Sequence, residues 1–313
     1  MPTPTRAKRR IRRIAARRPS ETRILVAAAG DRESRGALRL AAELAKRDAA
    51  SVMLLGVATP FPHNLSTFVS MRQPVAIDEV GRLAVLEDVQ KSVQDLPGAE
   101  RWAKRAVIGF PADAIVDMAS AWRASIILLG IGRHGRIKRM FGTETAVGVM
   151  RRARVPVLAV HPNATTLPGH VVAAVDFTEA SKASAALAGR LLAADGTLTL
   201  AHVCAFGGVV PKEGDLVDLY RTGAQARLDE LVHSLRHVTK RRIEGVMLSG
   251  EPGDALLGFA RRTNCELIAL GGHEQGLMDR ILLGSVRTQV VRGARCSVLM
   301  APPETKPQRR GGK

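Results

Sequence analysis

Short apolar runs dense in Val, Ile, Leu and Ala alternate along the chain with longer stretches of helical, amphipathic pattern. RILVAAAG (23–30), SVMLLGVA (51–58), the apolar part of ASIILLGIGRHG (124–135) and VPVLAV (155–160) are runs of the first kind. Each is bounded by a helix-compatible segment, and the longest of these segments span about Ala76 to Val93 and Asp215 to Leu235. Strands alternating with helices in this way predict βαβ units, and so a parallel sheet with both faces covered by helices.

The pattern then repeats. HVVAAVDF (170–177) matches the first run, and TLTLAHVC (197–204) matches the second. RRIEGVMLSGEPGDALLGFA (241–260) matches AKRAVIGFPADAIVDMA (103–119), CELIALGGHE (265–274) matches the fourth run, and CSVLMA (296–301) closes the second half as VPVLAV closes the first. A period of about 140 residues is far beyond that of a solenoid, so the chain is a duplicated domain. The expected boundaries are an arm over 1–20, domains over 21–162 and 169–302, a turn-rich linker over 163–168 and a tail over 303–313.

Composition adds three constraints. Aromatic residues make up only 3%, so the cores must be aliphatic. Cys204, Cys265 and Cys296 are odd in number and widely spaced, which predicts buried reduced thiols rather than a disulfide framework or a metal site. No apolar run approaches the length of a membrane span, and a cytoplasmic location is expected. The net charge of +18 is concentrated at the ends: residues 1–20 carry eight Lys/Arg and no acid, and the last eleven carry four bases against Glu304, leaving +7 on the remainder. These ends read either as solvated disordered tails or as arms that hold an acidic partner or nucleic acid by counterion release. The scarcity of aromatics argues against base stacking, so any such binding should be non-specific and salt-sensitive.

In an open parallel sheet ligands bind beyond the carboxyl ends of the strands, where strand order reverses. The loops after the first and fourth strands of each half are therefore the candidates. The second half offers Asp176, able to accept from a ribose hydroxyl or a base amino group, where the first half has Ala29. Beyond the fourth strand it offers Gly271, Gly272, His273, Glu274 and Gly276, then Gly284, Ser285 and Val286 opening a helix. The first half offers Gly132, Arg133, His134 and Gly135, then Gly142, Thr143 and Glu144. Glycine lets a phosphate approach the backbone, the hydroxyl caps the helix or donates to the ligand, and a helix start adds free N–H groups. The opposite reading is a Gly-Ser helix start satisfied by its own hydroxyl. His202, at the end of the second strand of the second half, reads as structural.

These residues resemble the universal stress proteins over 21–162 and 169–302. Nucleotide-binding members of that family have an Asp ending strand one and a Gly-x-x-Gly loop followed by Gly-Ser or Gly-Thr. The resemblance implies two tandem doubly wound α/β domains, each with a five-stranded parallel sheet flanked by helices. It implies ATP, with Mg²⁺, bound without strong hydrolysis, and last strands (155–160 and 296–301) that pair with one another. Further association into a homodimer is an extension of the same resemblance. The second half keeps Asp176, Gly271, Gly284 and Ser285 but has Glu274 at the second loop glycine. The first half has Gly132 and Gly135, a shorter spacing to Gly142, a basic loop (Arg133, Arg136, Lys138, Arg139), and Ala29 and Glu144 in place of permissive residues. Two functions follow: a stress-response regulator binding ATP or a related nucleotide mainly in the second half, or a tandem scaffold whose sites no longer bind. A hydrolase elbow, a full Walker loop and an activated cysteine setting are missing from the strand-end loops.

Overall fold

The computed structural model describes residues 22–60, 74–131, 142–205, 214–272 and 285–302. The expectations for 1–20 and for 303–313 lie outside these residues. In the first half the elements run β1 (Arg23–Ala27), α1 (Arg35–Asp48), β2 (Ser51–Ala58), α2 (Pro74–Lys91), β3 (Ala103–Ile108), α3 (Pro111–Ala121), β4 (Ile126–Gly130), α4 (Thr143–Arg152) and β5 (Val157–Val160). The second half repeats them as β6 (His170–Ala174), α5 (Glu179–Leu191), β7 (Thr197–Cys204), α6 (Gly214–Thr239), β8 (Arg242–Ser249), α7 (Pro252–Arg262), β9 (Leu267–Gly271), α8 (Ser285–Gly293) and β10 (Ser297–Ala301).

Each half is a five-stranded parallel sheet, and the two join edge to edge into one ten-stranded sheet of order β3-β2-β1-β4-β5-β10-β9-β6-β7-β8. The palindromic order comes from a single antiparallel contact, β5 with β10, in which Leu158 faces Leu299 and Val157 faces Met300. All other strand pairs are parallel. Strand order reverses between β1 and β4 and again between β6 and β9, and these switch points fix where a ligand crevice opens.

The strands are apolar throughout because both faces are covered. Ile24, Val26 and Ala28 point into the core under α1 and α2, whereas Leu25 and Ala27 point to the opposite core under α3 and α4. Both cores run on across the seam, through Leu158 and Leu299 on one face and Val157, Ala159, Val298 and Met300 on the other. Burial of that seam leaves neither β5 nor β10 as an exposed edge.

One element end departs from the sequence reading by a full turn. The long helix of the second half continues past Leu235 to Thr239, although His, Val and Thr are weak helix formers. A contact to β8 and a bond within the helix hold the extra turn: Arg236 Nε donates to the Ile243 carbonyl at 3.0 Å, and the Thr239 hydroxyl donates back to the Leu235 carbonyl at 2.9 Å. Lys240, at a φ of 55°, then ends it in the left-handed region.

Candidate functional site

The reversal between β6 and β9 opens a crevice of about 210 Å³ at the carboxyl ends of the strands. Asp176 and Ser181 line one side, Gly271 the floor, and Val286 and Arg287 of the first turn of α8 the other side. Gly272 follows directly and is buried. The structure thus brings together Asp176, Gly271 and Val286 of the residues expected from sequence, with Ser285 opening the helix beside them. His273, Gly276 and Gly284, with Glu274, lie outside the described residues, as do Gly132, Gly135 and the basic loop of the first half.

The Asp176 carboxylate is held from its own loop. Its Oδ1 accepts from the Thr178 backbone N–H at 3.0 Å and from the Thr178 hydroxyl at 2.6 Å. Thr178 is at the same time the N-cap of α5, its Oγ1 accepting from the Ser181 N–H at 3.2 Å. Ser181 Oγ in turn accepts from the Asp176 N–H at 3.3 Å and donates to the Thr178 carbonyl at 3.0 Å. The carboxylate is therefore oriented by a helix cap.

Between Asp176 and Thr178, Phe177 takes a left-handed φ of 64°, which costs a non-glycine residue about 1–2 kcal/mol. Packing offsets that strain: the ring lies 4.5 Å from the His202 ring and has the Arg227 guanidinium 4.4 Å above its face. His202 is buried with both ring nitrogens engaged, Nδ1–H donating to the Val175 carbonyl at 2.7 Å and Nε2 meeting the Tyr220 hydroxyl at 3.0 Å. It is a structural histidine beneath the crevice. Arg287 supplies the crevice with a cation, and no acid occupies the first turn of α8.

The strand-end glycine has a cause that needs no ligand. A Cβ on Gly271 would lie 2.6 Å from the Ser181 backbone nitrogen, and one on Gly130 would lie 2.2 Å from the Glu33 carbonyl oxygen. In both halves the chain entering or opening the first helix packs onto this glycine, so Gly271 serves helix–strand packing as well as lining the crevice. Thr143 corrects another expectation. Gly142 is the N-cap of α4 and Thr143 its first helical residue, so its hydroxyl sits one position too late to cap.

The corresponding positions of the first half are filled differently. Ala29 stands at the Asp176 position, its N–H held by Ser34 Oγ at 3.2 Å. Asp31 stands at the Thr178 position, accepting from the Ser34 N–H at 3.0 Å and its hydroxyl at 2.7 Å. Glu144 lies in the first turn of α4, and both its oxygens bind Arg292 of the last turn of α8 at 3.0 Å. Ser181 was not singled out as a site residue from sequence, and Arg287 could from sequence either reach the phosphates or face solvent. The recurrence of Ser34 and Ser181 at one repeat position is the signal that could have found the first.

The model of the universal stress protein family matches residues 21–161 and again residues 169–302. The chain belongs to the universal stress protein family. A universal stress protein of Mycobacterium bovis is 24% identical over 235 residues, which are 72% of this chain and 77% of that protein. A universal stress protein of Methanocaldococcus jannaschii is 35% identical over 65 residues, covering 21% of this chain and 38% of its own length. Among solved structures, a universal stress protein from Archaeoglobus fulgidus superposes with a TM-score of 0.60 at 18% identity, covering 90% of this chain and 96% of that one. A structure from Pseudomonas aeruginosa described as a putative universal stress protein gives 0.61 at 16% identity, covering 93% and 95%. At these identities the structures establish the tandem α/β fold alone.

Proposed function

We propose that this universal stress protein acts in the stress response by binding ATP or a related nucleotide in the crevice of its second half, as a sensor rather than a catalyst. The observation that carries the reading is Asp176, oriented by the Thr178 cap and set across the crevice from Arg287 and the start of α8. In this reading the carboxylate accepts from a ribose hydroxyl or a base amino group. The phosphates lie toward the start of α8 and the Arg287 guanidinium, where a helix start favours negative charge. Mg²⁺ accompanying a triphosphate would add positive charge beside the loop that carries Glu274. Turnover is not part of the proposal, because the crevice histidine, His202, has both nitrogens committed to Val175 and Tyr220.

The test is the melting temperature of the protein titrated with ATP and Mg²⁺, alongside Asp176→Ala. A ligand that binds the native state must raise stability as its concentration passes Kd. The expected outcome is a concentration-dependent rise that shrinks in the variant. A rise of the same size in Asp176→Ala would move the site to the first half. No rise in either protein would favour the second reading, a tandem scaffold, which Ala29 and the Glu144–Arg292 pair already support for the first half.

A further inference from the structure

All three cysteines are buried as free thiols, but two of them are not isolated. Cys265 immediately precedes β9 and Cys296 immediately precedes β10, and these strands are parallel neighbours with Ser297 opposite Leu267. The Ser297 N–H donates to the Glu266 carbonyl at 3.1 Å, fixing the roots of the two strands side by side. Cys265 Sγ donates to the Leu267 carbonyl at 3.0 Å, and both cysteine side chains lie in the one core beneath α7 and α8. A cavity of about 280 Å³ between the linker and the strand roots is lined by both cysteines. A second of about 330 Å³, between α7 and α8, is lined by both as well, and Arg295 lines both cavities. A small polar oxidant therefore has room beside these thiols although each is less than a tenth exposed.

We propose that Cys265 and Cys296 form a reversible oxidation site, in which a hydroperoxide converts the paired thiols to a disulfide joining the roots of β9 and β10. The two cysteines have different parts. The neighbouring Cys296 holds the Cys265 thiol below its usual range, against the opposing effect of burial, while Cys265 and burial push Cys296 well above it. Cys265 is thus the nucleophile. Its thiolate attacks one peroxide oxygen, the O–O bond breaks, and the alkoxide or hydroxide leaves with a proton as alcohol or water, giving a sulfenic acid. The Cys296 sulfur then attacks the Cys265 sulfur. The S–O bond breaks, and the hydroxide leaves with the Cys296 proton as water. A thiol reductant returns both groups to thiols by exchange. The disulfide encloses residues 266–295, which contain β9 with Gly271 and α8 with Arg287. An effect of oxidation on ligand binding rests on the nucleotide reading above. The disulfide itself does not.

The experiment uses the full chain, exposed to hydrogen peroxide in the native state, alkylated, and mapped by mass spectrometry without reduction. The expected result is a Cys265–Cys296 cross-linked peptide, lost on dithiothreitol treatment, formed about tenfold faster than any oxidation of Cys204, whose thiol burial pushes up. In Cys296→Ser the expected product is a dimedone adduct on Cys265. The oxidised wild-type protein should melt higher than the reduced one, because the cross-link closes a loop in the unfolded chain. Recovery of both cysteines as alkylatable thiols while Cys204 oxidises would overturn the proposal. So would a cross-link that forms only in denaturant, or an oxidised form that melts lower and does not recover with dithiothreitol.

Discussion

The two strand-end regions share a backbone and differ in what fills it. In the second half, Phe177 and His202 stand between the sheet and α6, joined to Tyr220 and Arg227, and Asp176 is aimed into an open crevice. In the first half the equivalents of Phe177 and His202 are Gly30 and Gly56, and α2 closes directly onto them: Cβ atoms there would meet Asp88 at 2.9 Å and Val85 at 2.4 Å. At the far helix the second half has Val286, half-buried against the apolar core, where the first has Glu144 paired with Arg292. A duplicated domain has kept its sheet and switch point while one copy retains a polar crevice and the other has packed helix and ion pair around the same place.

The largest expected effect comes from forcing the first half to look like the second. Gly56→His puts a Cβ within 2.4 Å of Val85 Cγ1 and 2.8 Å of Val89 Cγ2, both stiff β-branched side chains. Overpacking of this kind should cost about 3 kcal/mol, read as a lower urea midpoint with unchanged slope. A loss within error of zero would mean that α2 is free to stand off the sheet as α6 does, and the contrast between the halves would dissolve.

The reverse exchange is smaller. Phe177→Gly relieves a left-handed backbone strain of about 1 kcal/mol but removes a buried ring from His202 and Arg227, whose loss costs about 3 kcal/mol or more. The net expectation is a destabilisation of about 2 kcal/mol by the same urea measurement. A stabilised variant would show that strain, and not packing, dominates at this position.

Asp176→Ala bears on function more than on folding. Losing a charge-assisted hydrogen bond to the ligand should weaken nucleotide binding by about 1.5 kcal/mol, a little over tenfold in Kd by calorimetry. The companion variant Ala29→Asp should not confer binding on the first half, because Glu144 keeps a carboxylate in the first turn of its phosphate-side helix. Tight binding gained by Ala29→Asp would overturn that contrast between the crevices.

How much of this was legible in the sequence depends on the range of the interaction. The ten strands, their parallel order within each half and the repeat itself follow from local apolar density, and every strand was found where its run lies. Asp176 was legible because a carboxylate directly after a buried strand is conspicuous. The reasons for Gly271 and Gly130 were not, since the atoms that forbid a Cβ there belong to the chain entering or opening a helix about 90 residues away. The last turn of α6 was missed for the same reason: its weak helix formers are held by a backbone carbonyl of β8. The pairing of Glu144 with Arg292 joins residues 148 apart, and only the fold brings them together.

That pair gives the smallest effect and separates two explanations of the first half. Glu144 and Arg292 are both more than half exposed, so their bidentate contact should contribute at most about 0.5 kcal/mol, falling with added salt. Glu144→Gln should therefore change the urea midpoint only slightly at low salt and not at all at high salt. If the first half lacks a ligand because this carboxylate sits at the helix start, Ala29→Asp combined with Glu144→Gln should gain some affinity for ATP that neither change gives alone. If the double variant stays silent by calorimetry, the closed packing of α2 over Gly30 and Gly56, and not the charge at α4, keeps the first crevice shut.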